Sequence, residues 1–182
     1  YLNDLPEIES VTEQINYLQQ TATRKPRSVL EIGSGRGEVS AALDSLGVAV
    51  QSIDVNASVE QYHRTTSQIM FGKESTYDLF IGDLDTTFDF LDLSVIDTVI
   101  LVETIEHIFP NEWDRFYNKI KTILTANNCQ LIATNEKWYW PLGHTGDCNE
   151  HVNKIDDDFY DVLCSDAKKI CYRSTSHLCI EY

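Results

Sequence analysis

The chain has 182 residues, 42% hydrophobic and 24% charged, and its 29 acidic and 14 basic side chains give a formal net charge of −15. This length is enough for one well-packed core, and no run of about eighteen apolar residues predicts a transmembrane helix. The acidity disfavours nucleic acid and anionic surfaces as partners. We therefore expect one domain over residues 1–182, with an N-terminal helix in 1–25, a core in 26–160 and closing strands in 161–182.

The first predicted strand ends in a glycine-rich turn, Glu31-Ile32-Gly33-Ser34-Gly35-Arg36-Gly37, and helix-forming sequence follows as far as Leu46. A strand, a glycine turn and a helix in this order are typical of sites where the backbone passes close to a nucleotide-like ligand. In the dinucleotide fingerprint, a third glycine would stand at the position of Glu38. Because the charge of Glu38 would repel a pyrophosphate, the pattern favours a ligand without phosphate.

Acidic residues follow the next two predicted strands. Residues 47–53 form the second strand, which ends at Asp54 and Val55, and residues 77–81 form the third, which leads into Asp83 and Leu84. Asp54 follows the first glycine by about twenty residues, the usual distance for a carboxylate that accepts hydrogen bonds from ribose hydroxyls.

A continuous apolar run over 94–102 predicts a fourth strand, buried on both faces, which delivers Glu103, Glu106 and His107 to the carboxyl end of the sheet. Beyond it the sequence predicts a helix over 111–124, a strand over 129–133, a helix over 156–164, and an antiparallel pair of strands over 169–172 and 178–182. The five cysteines have no regular spacing, which is typical of reduced thiols and indicates a cytoplasmic protein.

Over about residues 26–160 these motifs resemble the class I S-adenosylmethionine-dependent methyltransferases. The resemblance implies an α/β, Rossmann-like fold, with a mostly parallel sheet of about seven strands and helices on both faces. It also implies S-adenosylmethionine as cofactor and S-adenosylhomocysteine as product. The residues implied to bind the cofactor are Glu31, Gly33, Ser34, Gly35 and Gly37 around the methionine moiety, Asp54 at the ribose, Asp83 and Leu84 at the adenine, and Val55 and Glu103 beside them.

The segment from Glu103 to His107 is also similar to RNA 3′-terminal 2′-O-methyltransferases, in which the two glutamates and the histidine bind a divalent metal. In those enzymes a later histidine, at a place near His151, completes the site. Three interpretations stay open: a metal site of Glu103, Glu106, His107 and His151; general-base catalysis by His107 or His151 without metal; and side chains that only wall the pocket.

We expect an enzyme that methylates a small-molecule acceptor at oxygen, with His107, His151 and Glu106 as catalytic candidates and no resident metal. Two alternatives remain: a metal-dependent RNA 3′-terminal 2′-O-methyltransferase, and a non-catalytic module that binds the cofactor. The acceptor and the oligomeric state cannot be read from this sequence, because specificity resides in loops such as residues 135–149.

Overall fold

The computed structural model describes residues 22, 24–134, 157–173 and 177–182. The strands in these residues are β1 (Ser28–Ile32), β2 (Ala49–Asp54), β3 (Asp78–Ile81), β4 (Thr98–Val102), β5 (Gln130–Thr134), β6 (Lys169–Arg173) and β7 (His177–Glu181). The α-helices are α1 (Glu38–Ser45), α2 (Val59–Phe71), α3 (Leu84–Thr87), α4 (Trp113–Ala126) and α5 (Asp157–Cys164), and short 3₁₀ turns cover Phe88–Phe90 and Ile105–His107. The predicted N-terminal helix, the loop over 135–149 and His151 lie outside the described residues.

The strands form one seven-stranded sheet in the order β3-β2-β1-β4-β5-β7-β6. Neighbouring strands run parallel from β3 to β5, whereas β7 lies antiparallel to both β5 and β6. The fold expected from the sequence is therefore confirmed, including the closing antiparallel pair. Because the parallel strands share one direction, the residues that follow β1, β2, β3 and β4 all meet at one edge of the sheet.

Successive side chains of the central strands enter two separate cores, as the two-residue repeat of a strand requires. In β4, Val99 and Leu101 pack with α4 and α5, whereas Ile100 packs on the opposite face with Val39 and Leu43 of α1. Helices therefore cover both faces of the sheet. Among the described helices, none combines the length and the apolar composition that a membrane span requires.

Several predicted boundaries were wrong, and two helices, α2 and α3, were not predicted. The apolar run predicted β4 from residue 94, but the strand begins at Thr98 because Ser94 turns onto the carboxylate of Asp92 and Asp97 accepts the backbone N–H of Arg27. Helix α4 begins at Trp113 rather than at residue 111. Helix α2, which connects β2 and β3, was missed altogether, and it contributes directly to the candidate site.

The burial of β4 predicts a strong contrast between two isoleucine-to-alanine substitutions. Ile100 is fully buried at the centre of the sheet, whereas Ile170 lies on edge strand β6 and is 50% exposed. I100A should lower the free energy of unfolding by about 2–5 kcal/mol, because it leaves a cavity, whereas I170A should lower it by less than about 1 kcal/mol. Urea denaturation measures both values, and a similar loss in the two variants would contradict this arrangement of strands.

Candidate active site

A cleft of about 790 Å³ opens at the carboxyl ends of β1 to β4. This volume lies in the range typical of sites for small organic ligands. Eight of the residues predicted to form the site line the cleft: Gly33, Gly35, Asp54, Val55, Asp83, Leu84, Glu103 and His107. They come from four different strand ends and from the turns that follow them.

The glycine loop between β1 and α1 adopts a backbone conformation that only glycine enters readily. Gly33, Gly35 and Gly37 have φ angles of +78°, +52° and +82°. A Cβ on Gly33 would lie 2.5 Å from the hydroxyl oxygen of Thr104, and one on Gly37 would lie 2.7 Å from the ring of His63. A Cβ on Gly35 would meet no atom within 4 Å, and Gly35 lines the cleft. The loop thus needs glycine for close packing at two positions and for ligand access at the third.

Asp54, at the end of β2, is held by one backbone donor on each carboxylate oxygen. The N–H of Gly35 donates to Oδ2 at 2.8 Å, and the N–H of Asn56 donates to Oδ1 at 2.8 Å. The side chain is 9% exposed and lines the cleft. Because each carboxylate oxygen has more than one acceptor site, both retain capacity for a pair of ligand hydroxyls.

Asp83, after β3, caps helix α3. Its Oδ1 accepts the N–H of Thr86 at 2.7 Å and the hydroxyl of Thr86 at 2.8 Å. These hydrogen bonds hold the pKa of the Asp83 carboxyl below its usual value, so the group is ionised at neutral pH. With Oδ1 engaged by the helix, Oδ2 is the oxygen that remains for a donor in the cleft.

Glu103 follows β4 and has a φ of +48°, a left-handed conformation that is uncommon for a residue with a side chain. Its N–H donates to the carbonyl of Thr134 and its Oε1 accepts the hydroxyl of Thr134, both at 3.0 Å. Strained backbone of this kind persists only where the surrounding contacts enforce it. Here β5 holds the carboxylate of Glu103 at the wall of the cleft.

Four predicted site residues do not line the cleft. Glu31 and Glu106 are buried, with 2% and 4% exposure, and Ser34 and Gly37 lie on the far side of the loop from the opening. Glu31 accepts the hydroxyl of Ser40, and this hydroxyl also contacts that of Ser52 at 2.6 Å. Burial raises the pKa of Glu31 to about 8, which indicates that the carboxyl is protonated at neutral pH.

His107 is exposed and lines the cleft beside Ile108 and Phe109. Within residues 24–134 and the other described segments, no group of three or more His, Cys, Asp or Glu side chains is placed to hold a metal ion. His151, the remaining member of the predicted cluster, falls outside those segments. The metal interpretation therefore has no support in the described part of the cleft.

Two residues that sequence reasoning missed support the glycine loop from below. Thr104 donates its hydroxyl to the carbonyl of Ile32 at 2.9 Å and fills the space beneath Gly33. His63 of α2 is 2% exposed and contacts both the side chain of Ser34 and the carbonyl of Gly35. The glycine motif itself was the one available signal, because it implies close neighbours without identifying them.

The outer part of the cleft carries two cations, which are both engaged by one carboxylate. Arg115 and Lys119 of α4 lie 2.7 Å and 2.8 Å from the oxygens of Asp85. Across the cleft stand the carboxylates of Asp54, Asp83 and Glu103. This distribution favours a neutral or cationic ligand over a phosphate-bearing one, because the acidic residues would repel phosphate.

A protein family described as "methyltransferase domain" matches residues 30–128 of the sequence. This segment is more than half of the 182 residues. The matched segment runs from the middle of β1 to the turn before β5, and it includes the glycine loop and the carboxylates after β2, β3 and β4. No curated protein sequence is significantly similar to this chain.

Several solved structures share the fold at low sequence identity. The PH0226 protein from Pyrococcus horikoshii is 17% identical, with a TM-score of 0.68 over 98% of this chain and 92% of that protein. A proposed O-methyltransferase from Nostoc punctiforme is 16% identical, with a TM-score of 0.65 over 96% of this chain and 56% of that protein. The magnesium protoporphyrin IX methyltransferase of Synechocystis, solved with bound SAM, is 14% identical, with a TM-score of 0.59 over 95% of this chain and 77% of that protein.

The contacts around the glycine loop predict that alanine substitutions at Gly35 and Gly37 lower the free energy of unfolding by different amounts. G35A should lower the free energy of unfolding by about 1–2 kcal/mol, through backbone strain alone. G37A should lower it by about 1–3 kcal/mol more, because its Cβ would overlap the ring of His63. G47A is the matched control, since Gly47 has a φ of +77° and a Cβ added there would meet no atom within 4 Å. Equal losses for Gly35 and Gly37 in thermal unfolding would contradict the close packing.

The buried carboxyl of Glu31 predicts a specific pH dependence of stability. Its pKa is about 8 in the folded protein against an ordinary value of 4.5, so the folded state binds more protons than the unfolded state between these pH values. The contribution of Glu31 to the free energy of unfolding must therefore fall as the pH rises from about 4.5 to 8. E31Q lacks this titration, and its stability relative to the original protein should increase over that range. A constant difference between the two unfolding curves would refute the raised pKa.

Proposed function

Because the chain belongs to the methyltransferase domain family, as a class I S-adenosylmethionine-dependent methyltransferase, we propose that it methylates an oxygen of a small-molecule acceptor. The proposal rests on the glycine loop and the carboxylate of Asp54 that the loop orients. The family accounts for the type of enzyme and its cofactor. The class of acceptor and the roles of individual residues are the proposed part.

The chemistry of the cleft fits S-adenosylmethionine. This cofactor supplies a methyl group on a positively charged sulfonium, and it carries no phosphate. Asp54 is the proposed partner of the ribose hydroxyls, since the N–H groups of Gly35 and Asn56 already orient its two oxygens. The space beside Gly35, where a Cβ would meet no atom within 4 Å, leaves room for the methionine portion along the loop.

The adenine is proposed to lie between the turns after β3 and β4. Asp83 has one oxygen engaged by Thr86, and its other oxygen is the proposed acceptor for the adenine amino group. Leu84 is 5% exposed and Val55 is 73% exposed, and both line the cleft, so they offer apolar contacts to the faces of the ring. Glu103 provides a negative charge near the same end.

His107 is the proposed general base, because it is the histidine of the described residues that lines the cleft. In the reaction a bond forms between the acceptor oxygen and the methyl carbon, the carbon–sulfur bond breaks, and its electron pair stays on sulfur. The acceptor proton passes to the ring of His107. Holding the reacting atoms in line supplies most of the acceleration, and a base adds a smaller factor.

Glu106 is not proposed to contact the acceptor, because it is buried and does not line the cleft. Its neighbour Ile105 is fully buried as well, so this 3₁₀ turn anchors His107 to the core. Glu31 is likewise proposed to support the strand beneath the loop rather than to bind the methionine moiety directly.

Two observations favour a small-molecule acceptor over RNA. The chain carries 29 acidic against 14 basic residues, whereas phosphate binding requires a basic surface. The two cations at the cleft, Arg115 and Lys119, are both paired with Asp85. Two of the structural neighbours are a proposed O-methyltransferase and a porphyrin methyltransferase, and both names agree with this class of acceptor.

Calorimetric titration with S-adenosylhomocysteine tests the cofactor part of the proposal. The protein should bind it with micromolar affinity, and D54N should bind at least about tenfold more weakly, because hydrogen bonds to a charged group are lost. D78N is the matched control, since Asp78 is exposed at the opposite end of the sheet. Equal affinity of D54N and the original protein would refute the assignment of Asp54, and absence of binding in both would refute the cofactor site.

A methyl-transfer assay tests the acceptor class and the role of His107. With labelled S-adenosylmethionine, label should appear in hydroxyl-bearing small molecules, and EDTA should leave the rate unchanged. H107Q should lower kcat by about 10²–10⁴-fold, with little change in the affinity for S-adenosylhomocysteine. Transfer to a short RNA that requires Mn²⁺ would instead identify the RNA-directed alternative. Full activity of H107Q would exclude His107 as the base.

A further inference from the structure

A hydrogen-bond network behind the glycine loop involves a histidine that does not reach the cleft. His63 of α2 is 2% exposed, and its Nε2 lies 3.1 Å from the carbonyl oxygen of Gly35 and 3.2 Å from the hydroxyl of Ser34. On the other side of the ring, Nδ1 lies 2.9 Å from the hydroxyl of Tyr77. Both ring nitrogens are therefore engaged within the protein.

These partners determine the tautomer of His63. A carbonyl oxygen can only accept, so Nε2 must carry the proton that it donates to Gly35. Nδ1 then has a lone pair, which accepts the hydroxyl proton of Tyr77. Burial lowers the pKa of His63 and raises that of Tyr77, so the neutral imidazole and the protonated phenol are the forms present at neutral pH.

A second side chain of the same helix holds the next peptide of the loop. The hydroxyl of Thr66 donates to the carbonyl of Arg36 at 2.9 Å. The ring of His63 also fills the space beside Gly37, where a Cβ would lie 2.7 Å away. Helix α2 thus contacts four successive residues of the loop, from Ser34 to Gly37.

The orientation of Asp54 depends on this part of the loop. The N–H of Gly35 donates to Oδ2 of Asp54, and the carbonyl of the same residue accepts from His63. If the carbonyl of Gly35 loses its donor, the peptide between Gly35 and Arg36 loses a restraint, and the backbone dihedral angles of Gly35 are less fixed. The N–H of Gly35 would then no longer point steadily at Asp54.

We infer that His63 is a positioning residue for cofactor binding, which holds the Gly35 peptide so that Asp54 is oriented toward the ribose, with Tyr77 selecting the required tautomer. This inference rests on the proposed function for its ligand. It differs from that proposal in assigning part of the affinity to a residue of α2 that touches neither cofactor nor acceptor.

Calorimetry with S-adenosylhomocysteine tests the inference through three variants. H63L should bind about tenfold or more weakly, because the carbonyl of Gly35 loses its donor. H63Q should stay within about threefold of the original protein, since an amide nitrogen at the place of Nε2 can donate to Gly35. T65V is the matched control on α2, because the hydroxyl of Thr65 bonds only within the helix, to the carbonyl of Gln61.

The stoichiometry separates a positioning role from a structural one. A variant that merely misfolds shows fewer binding sites per chain with an unchanged Kd, whereas loss of positioning changes the Kd at full stoichiometry. Unchanged Kd in H63L, at either stoichiometry, would overturn the inference. Weaker binding in H63L together with recovery in H63Q would establish it.

Amide hydrogen exchange provides a readout that needs no ligand. The N–H of Gly35 should exchange faster in H63L than in the original protein or in T65V, because its bond to Asp54 is weakened. If the original protein does not bind S-adenosylhomocysteine, the proposed function fails, and this exchange rate still decides whether His63 holds the Gly35 peptide. Equal exchange in H63L and T65V would then overturn it.

Discussion

The site depends on one hydrogen bond between two neighbouring strand ends, the 2.8 Å contact from the N–H of Gly35 to Asp54. It forms because the glycine loop turns back over the end of β2, where the carbonyl of Ile53 also accepts the N–H groups of Gly33 and Ser34. The left-handed conformation of the loop makes this return possible. The carboxylate that faces the cleft is thus held by backbone N–H groups rather than by the side chain of another residue.

Electrostatics then restricts what the cleft can accept. Carboxylates stand at the ends of β2, β3 and β4, and the two nearby cations of α4 are both paired with Asp85, Arg115 with Glu112 as well. In a phosphate-binding relative of this strand–turn–helix, the loop amides and helix N-terminus would serve an anion. Here one of those amides is already bonded to Asp54, and Glu38 opens α1. The same local architecture is therefore suited to a ligand of the opposite charge.

The sequence predicted the strands and the carboxylates of Asp54 and Asp83 that follow two of them, because a strand followed by glycine or acid is a local pattern. It did not predict that Glu31 and Glu106 are buried, since the burial of a side chain depends on which distant elements pack over it. His63 was missed for a related reason. Its partners in the glycine loop lie 28 and 29 positions away along the chain, and nothing in α2 itself marks it. The start of β4 was misplaced because contacts between Arg27 and Asp97, 70 residues apart, end the preceding turn.

Because the strands are parallel, the cleft forms only when segments far apart in the sequence come together. Its parts meet across long stretches of chain, as in the bond from Thr104 to Ile32, which spans 72 residues. Loop closure over such distances must precede the contacts that compensate it, so folding is expected to be slow relative to a helical bundle of equal stability. No short fragment can assemble the cleft, and its presence reports completion of the whole parallel sheet. A small molecule that occupies it at 100 times its Kd would, by mass action, add about 2.7 kcal/mol to the stability of that sheet.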